Sequence, residues 1–126
     1  MAEKYLSELH KTNGEWVKKL EFYRDEVKTF NNRLEELVVQ NTKVEVTAQI
    51  ERFQNQFIRE NEVIDILVHD IHEEEVKIAA MAQANNVATD HRKAEENAGL
   101  VDRMQMFDKI FAELKAEFTR FAAKSY

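Results

Sequence analysis

The feature that most constrains the fold is a run of apolar side chains spaced alternately three and four residues apart near the start of the chain. The run has one strongly polar member, Asn13, and keeps the same phase on both sides of Gly14. Such spacing aligns these side chains along one face of an α-helix. The run comprises Leu6, Leu9, Asn13, Trp16, Leu20, Tyr23, Val27, Phe30, Leu34 and Leu37. It predicts one continuous helix over about residues 3–39.

Two further segments repeat this pattern. A second helix is predicted over about residues 43–84, with Thr42 and Glu45 spaced as a capping box at its start. A third is predicted over about residues 88–124, where four phenylalanines share the apolar face. Between residues 88 and 99 the pattern slips by one residue, which fits either a stutter in a continuous helix or a helix that begins near Gly99. We expect a continuous helix.

Glycine and proline are too scarce for a sheet-rich fold, since the chain has two glycines and no proline. Its 126 residues suffice for one domain. Short connections make consecutive helices antiparallel neighbours. The sequence therefore predicts an all-α fold, an up-down-up antiparallel three-helix bundle with long coiled-coil-like helices in a single domain.

Charge and composition argue against several classes of function. The net charge is −6, and residues 42–84 hold most of it, with nine acidic and four basic side chains. No segment has the basic surplus that binding to nucleic acid or to an anionic membrane requires. Cysteine is absent, and neither a signal peptide nor a membrane-spanning run is evident. We expect a cytoplasmic protein with no cofactor, and no enzyme, because no catalytic motif is present.

One candidate metal site lies in the stretch DILVHDIHEEE. Asp65, His69 and His72 follow an i, i+4, i+7 spacing that places them on one face of the second helix. Two imidazoles and a carboxylate are suitable ligands for Zn²⁺. The same spacing describes a solvated acidic face, which is the usual role of outward charged residues, and we favour that interpretation.

Polar residues also occur on the predicted core face. Pairing the first two helices about the turn near Asn41 puts Glu74 level with His10 and Asn13, and Arg103 of the third helix nearby. These four residues are predicted to form a polar core layer, or alternatively a small-molecule pocket. Glu60 falls level with Tyr23, and we expect the Tyr23 hydroxyl to bond this glutamate, because a buried carboxylate needs a donor.

Some apolar residues fall outside the core-facing pattern. Phe22, Val39, Ile58 and Ile66 are the hardest to place in a three-helix core, so they form a candidate interaction surface. We therefore expect a non-catalytic protein that acts through a protein partner or through self-association, most simply as a homo-oligomer. The alternative is a metal- or small-ligand-binding protein that uses the histidines and carboxylates named above.

Overall fold

The computed structural model describes residues 3–84 and 93–124. Three long helices dominate it: α1 spans Leu6–Gln40, α2 spans Val44–Gln83 and α3 spans Ala98–Lys124. Two short strands, β1 (Glu3–Tyr5) and β2 (Lys93–Glu95), pair antiparallel, with Lys4 opposite Ala94. The all-α three-helix fold predicted from the heptad spacing is confirmed. As predicted, α1 runs through Gly14 without interruption.

Side-chain pairs that bridge neighbouring helices give the direction of each helix. The pairs of α1 with α2 are Arg24–Asp65 and His10–Glu75, and those of α1 with α3 are Lys19–Asp108 and Glu26–Lys115. In the α1–α2 pairs the residue number on α2 decreases as the number on α1 increases, so these two helices are antiparallel. Positions on α3 rise with those on α1, so these two are parallel. The bundle therefore runs up, down and up.

The core follows the three-four spacing. Every member of the α1 run is buried or half-buried, and the four phenylalanines of α3 are buried. Aromatic rings concentrate toward the end of the bundle where α1 passes to α2. There Phe118 packs edge-on against Phe53 and Phe57, and Phe30 lies 5.0 Å from Phe118 between ring centroids. The backbones of α1 and α2 approach closely, whereas α3 lies further from both, as bulky rings on its inner face require.

Helix ends differ from their prediction at three places. The first helix starts at Leu6 rather than near Glu3, because residues 3–5 pair with β2. A capping box at Thr42 is not formed, since Lys43 is the N-cap of α2 and no side chain caps it. The expected continuous third helix over residues 88–124 is wrong, because residues 93–95 are extended and α3 begins at Ala98; residues 88–92 lie outside the described residues.

Asparagine side chains cap the start of α3 and the end of α1. The Asn97 Oδ1 atom accepts a hydrogen bond of 3.0 Å from the Leu100 backbone N–H, which would otherwise lack a partner in the first turn of α3. At the other end, the Asn41 amide donates to the Leu37 carbonyl at 3.0 Å and so satisfies an orphan acceptor of the last turn of α1. Three residues then suffice to reach Val44 and start α2.

Candidate functional site

A cavity of about 270 Å³ lies at the end of the bundle where α1 begins and α2 ends. We call it the amide cavity, because Asn13 lines it; β2 and the start of α3 form its remaining wall. It is lined by Leu9, Thr12, Asn13, Trp16, Glu74, Lys77, Ile78, Met81, Ala94, Glu95, Glu96, Asn97 and Leu100. The sequence pattern placed a polar layer or a pocket at this level, and the structure brings Asn13 and Glu74 to one cavity.

Asn13 is the most deeply buried polar residue of α1, with 6% of its surface exposed. Within residues 3–84 and 93–124, no side chain or backbone group forms a hydrogen bond with its amide. The fully buried side-chain polar atoms without a hydrogen-bond partner in the described residues are Gln56 Oε1 and Asn61 Oδ1, and no atom of Asn13 is among them. Its position on the cavity wall therefore leaves Asn13 able to bond a molecule inside the cavity.

Glu74 is held by two donors. Its Oε1 atom accepts a hydrogen bond of 2.8 Å from the Asn97 amide and a longer one of 3.3 Å from Lys77. Asn97 therefore joins the end of α2 to the start of α3, since it also caps that helix. A polar layer of His10, Asn13, Glu74 and Arg103 would pair Glu74 with Arg103 or Asn13, and neither of these residues bonds it. Sequence reasoning assigned no role to Asn97, although an asparagine directly before a helical run is a common N-cap.

The two other members of the predicted polar layer lie elsewhere. The Nδ1 atom of His10 lies 2.9 Å from Glu75, and Arg103 lies 2.7 Å from Asp70 across the α2–α3 boundary. Neither His10 nor Arg103 lines the amide cavity. The predicted four-residue layer therefore reduces to Asn13 and Glu74.

The predicted bond between Tyr23 and Glu60 is also wrong. The Tyr23 hydroxyl donates to Asp108 of α3 at 2.8 Å, and Lys19 reaches the other oxygen of the same carboxylate at 2.7 Å. Burial, together with the bond to Asp108, raises the pKa of Tyr23 above its ordinary value. Tyr23 thus fixes α1 against α3, where its ring also contacts Phe111.

Glu60 instead faces the groove between α2 and α3. It is 8% exposed and lies among Val63, Leu67, Phe107 and Ile110. Burial raises the pKa of its carboxyl, and the neighbouring charge of Arg59 offsets part of that rise. This buried carboxyl is therefore easier to protonate than an exposed glutamate.

The candidate metal ligands are not brought together as a ligand set. Asp65 accepts a hydrogen bond of 2.6 Å from Arg24 of α1, and His69 lies 3.9 Å from Glu73. His72 is exposed. Throughout the described ranges, no group of three or more histidine, cysteine, aspartate or glutamate side chains could hold a metal ion. Asp65, His69 and His72 therefore lie along the surface of α2, where Asp65 binds Arg24 of α1.

The four residues of the predicted interaction surface are all exposed by more than half. Their exposed fractions are 58% for Phe22, 83% for Val39, 57% for Ile58 and 55% for Ile66. Phe22 and Val39 lie on α1, and Ile58 and Ile66 lie on α2. Three further apolar residues are exposed by more than half: Val44 and Val76 of α2 and Met106 of α3. Each lies off the core-facing positions of the heptad pattern.

Comparison of the chain with protein families, with curated proteins and with solved structures gives no match. Within the described residues, none of the helices has the length and apolar character needed to cross a membrane. The geometry of the described residues is therefore the basis for any functional proposal.

Proposed function

We propose that the protein is a non-catalytic interaction module and that its partner is a second copy, bound through the outward face of α2. The single observation that carries this proposal is the exposure of Ile58, Ile66 and Val76 along one helix face, each by more than half. Isolated exposed apolar residues are ordinary, and the recurrence of three of them along one side of a long helix supports this side as the contact surface.

The charges on this face favour a second copy. We define the outer stripe of α2 by Ile58, Arg59, Glu62, Ile66, His69 and Glu73. From Arg59 onward each member follows the one before it by three or four positions, and Ile58 precedes Glu62 by four, so the residues share a side of the helix. The stripe carries one arginine, one histidine and two glutamates, so it presents both basic and acidic side chains along one face.

Two copies of this stripe are complementary when they cross antiparallel at Ile66. Arg59 lies seven residues before Ile66 and Glu73 lies seven residues after it, so each arginine would oppose the glutamate of the other copy. Glu62, four residues before Ile66, would lie near His69 of the other copy. This arrangement is isologous, as a two-fold dimer requires, with an apolar side chain on the axis.

These charges are available for such contacts. Among the described residues, no ion pair engages Arg59 or Glu62, and the nearest basic group to Glu73 is His69 at 3.9 Å. By contrast, Asp65 and Asp70 on the same helix are occupied by arginines of α1 and α3. One helix pair buries a small interface, so we expect a weak dimer with a dissociation constant on the order of 100 µM.

Sedimentation equilibrium over roughly 10 µM to 1 mM protein tests this proposal, because the range brackets that affinity. Ile66→Glu should weaken the dimer at least tenfold, which corresponds to about 1.4 kcal/mol. Arg59→Glu and Glu73→Arg should each weaken it by repulsion, and the double variant should restore it. Val39→Lys, a change at an exposed apolar site of α1, is the control and should leave the dimer intact.

A wild-type chain that stays monomeric at the highest concentration would contradict the proposal. So would a dimer that tolerates Ile66→Glu, because α2 would then not be the contact. Failure of the double charge reversal to restore association would exclude the antiparallel crossing at Ile66.

A further inference from the structure

The amide cavity has the dimensions of a small-molecule site. Its volume of about 270 Å³ lies just below the usual range for ligand pockets, roughly 300–1,000 Å³, so a molecule with a single ring would fill it. Elements far apart in sequence close it, because α1, α2, β2 and the start of α3 each contribute a wall. The paired strands hold β2 beside the beginning of α1, and an ion pair of 2.7 Å between Lys4 and Glu96 reinforces that position.

The polar groups of the cavity call for a ligand that donates hydrogen bonds. Both bonds that Glu74 accepts within the described chain reach its Oε1 atom, which leaves Oε2 for another donor. The Asn13 carbonyl oxygen has no donor within the same residues, and Glu95 of β2 also lines the cavity. Among the described lining residues, Lys77 is the only cation, and it is engaged with Glu74. Three glutamates, Glu74, Glu95 and Glu96, give these lining residues a net negative charge, which favours a cationic donor over an anion.

The remaining wall suits an apolar group. Leu9, Ile78 and Leu100 surround the space with aliphatic carbon, and the half-buried indole of Trp16 supplies an aromatic face. An ammonium group gains from a carboxylate and from the face of an aromatic ring, whereas a carboxylate ligand would meet repulsion from Glu74.

From this arrangement we infer that the amide cavity is a binding site for a small organic amine with an apolar body. The ammonium group bonds Glu74 Oε2 and the Asn13 carbonyl, and the apolar body lies among Leu9, Trp16 and Leu100. The site shares no residue with the outer stripe of α2, so it does not depend on self-association.

Trp16 is the only tryptophan of the chain, so its fluorescence reports on the cavity without a label. The probes are 2-phenylethylamine and 3-phenylpropanoate, which have similar size and opposite charge. We expect the amine to change Trp16 emission in a saturable way, and the carboxylate to bind at least tenfold more weakly. Glu74→Gln should weaken binding of the amine at least fivefold.

Glu75→Gln is the matched control, because Glu75 is adjacent on α2, contacts His10 and does not line the cavity. It should bind the amine as the wild type does. Circular dichroism establishes that each variant is folded. Should Glu74→Gln fail to fold, Asn13→Leu provides the second variant, since it removes the polar group and keeps an apolar wall. The wild-type nuclear magnetic resonance signal of the Asn13 side-chain amide should also shift on titration with the amine.

Three outcomes would overturn the inference: no saturable response to the amine, equal affinity for the two probes, or equal loss of affinity in Glu74→Gln and Glu75→Gln. Titration of Ile66→Glu separates this site from the proposed dimer. That variant should bind the amine with unchanged affinity even where association is lost.

Discussion

The two ends of the bundle are built differently. The end where α1 passes to α2 is filled with aromatic rings, and Phe53, Phe57 and Phe118 contact one another there. The opposite end holds a buried amide, a half-buried carboxylate and an open cavity. Close packing of apolar rings stabilises a fold, whereas a polar cavity lowers its stability. The difference suggests that the aromatic end supplies stability and that the cavity end is adapted to a ligand.

Truncation of one leucine at each end should expose this difference most strongly. Leu34→Ala, at a fully buried position of the aromatic end, should lower the free energy of unfolding by about 3–4 kcal/mol. Leu100→Ala, on the cavity wall, should lower it by about 2 kcal/mol, because the site already borders open space. Urea denaturation followed by circular dichroism measures both values. Equal losses would show that the two ends are packed equally well.

Asn13→Leu tests whether the polar end lowers stability. The substitution removes an amide that lacks a partner in the described structure and adds apolar surface to the cavity, so we expect the free energy of unfolding to rise by about 1–2 kcal/mol. Thermal denaturation should show a higher midpoint, and amine binding should be lost. A lower midpoint would mean that the amide makes a structural hydrogen bond. The two ends of the bundle would then differ in polarity and not in their contribution to stability.

Heptad spacing was enough to predict the bundle and the level of the polar residues. It predicted that Asn13 and Glu74 share one layer, because sequence distance from a short turn fixes height along an antiparallel helix pair. It failed for Tyr23 and Glu60, which share a height but face different grooves. A core-facing position contacts two neighbouring helices, and the spacing alone does not say which of them a long polar side chain reaches.

Short-range features were predicted less well. The three-residue strands β1 and β2 are too short to show a period, so the pattern near Glu3 was assigned to α1. The start of α3 depends on one side chain, Asn97, whose bond to the Leu100 backbone outweighs the helical spacing upstream. The sequence placed a possible pocket at this level but did not predict its full lining, because β2 and Asn97 form part of the wall.

Glu60 lies between the two ends and provides a test by pH. Its pKa is raised in the folded chain, so the protonated form is favoured by folding, and the ionised form lowers stability at neutral pH. Glu60→Gln should therefore raise the free energy of unfolding by about 1 kcal/mol at pH 7. The advantage over the wild type should shrink as the pH falls and Glu60 becomes protonated in both the folded and the unfolded chain.

Urea denaturation at pH 7 and at pH 4 measures this change. The charged groups that line the same grooves, Arg59, Arg103, Glu113 and Glu117, are unchanged in the variant, so their titration is common to both proteins. If the variant and the wild type differ by the same free energy of unfolding at both pH values, the carboxyl of Glu60 is hydrated and its pKa does not change on folding.

Gly14→Ala should have the smallest effect on the free energy of unfolding, and it tests whether α1 bends at the cavity end. The glycine lies inside α1 at an exposed position, and a Cβ atom added there would meet nothing within 4 Å. Alanine should raise the free energy of unfolding by about 0.5–1 kcal/mol, because it loses less backbone entropy in a helix. Ala116→Gly, at an exposed position of α3 toward the aromatic end, should lower it by a similar amount. If Gly14→Ala also weakened amine binding, α1 would have to bend at the glycine to admit the ligand. Unchanged affinity would show that the side chains of the cavity alone determine amine binding.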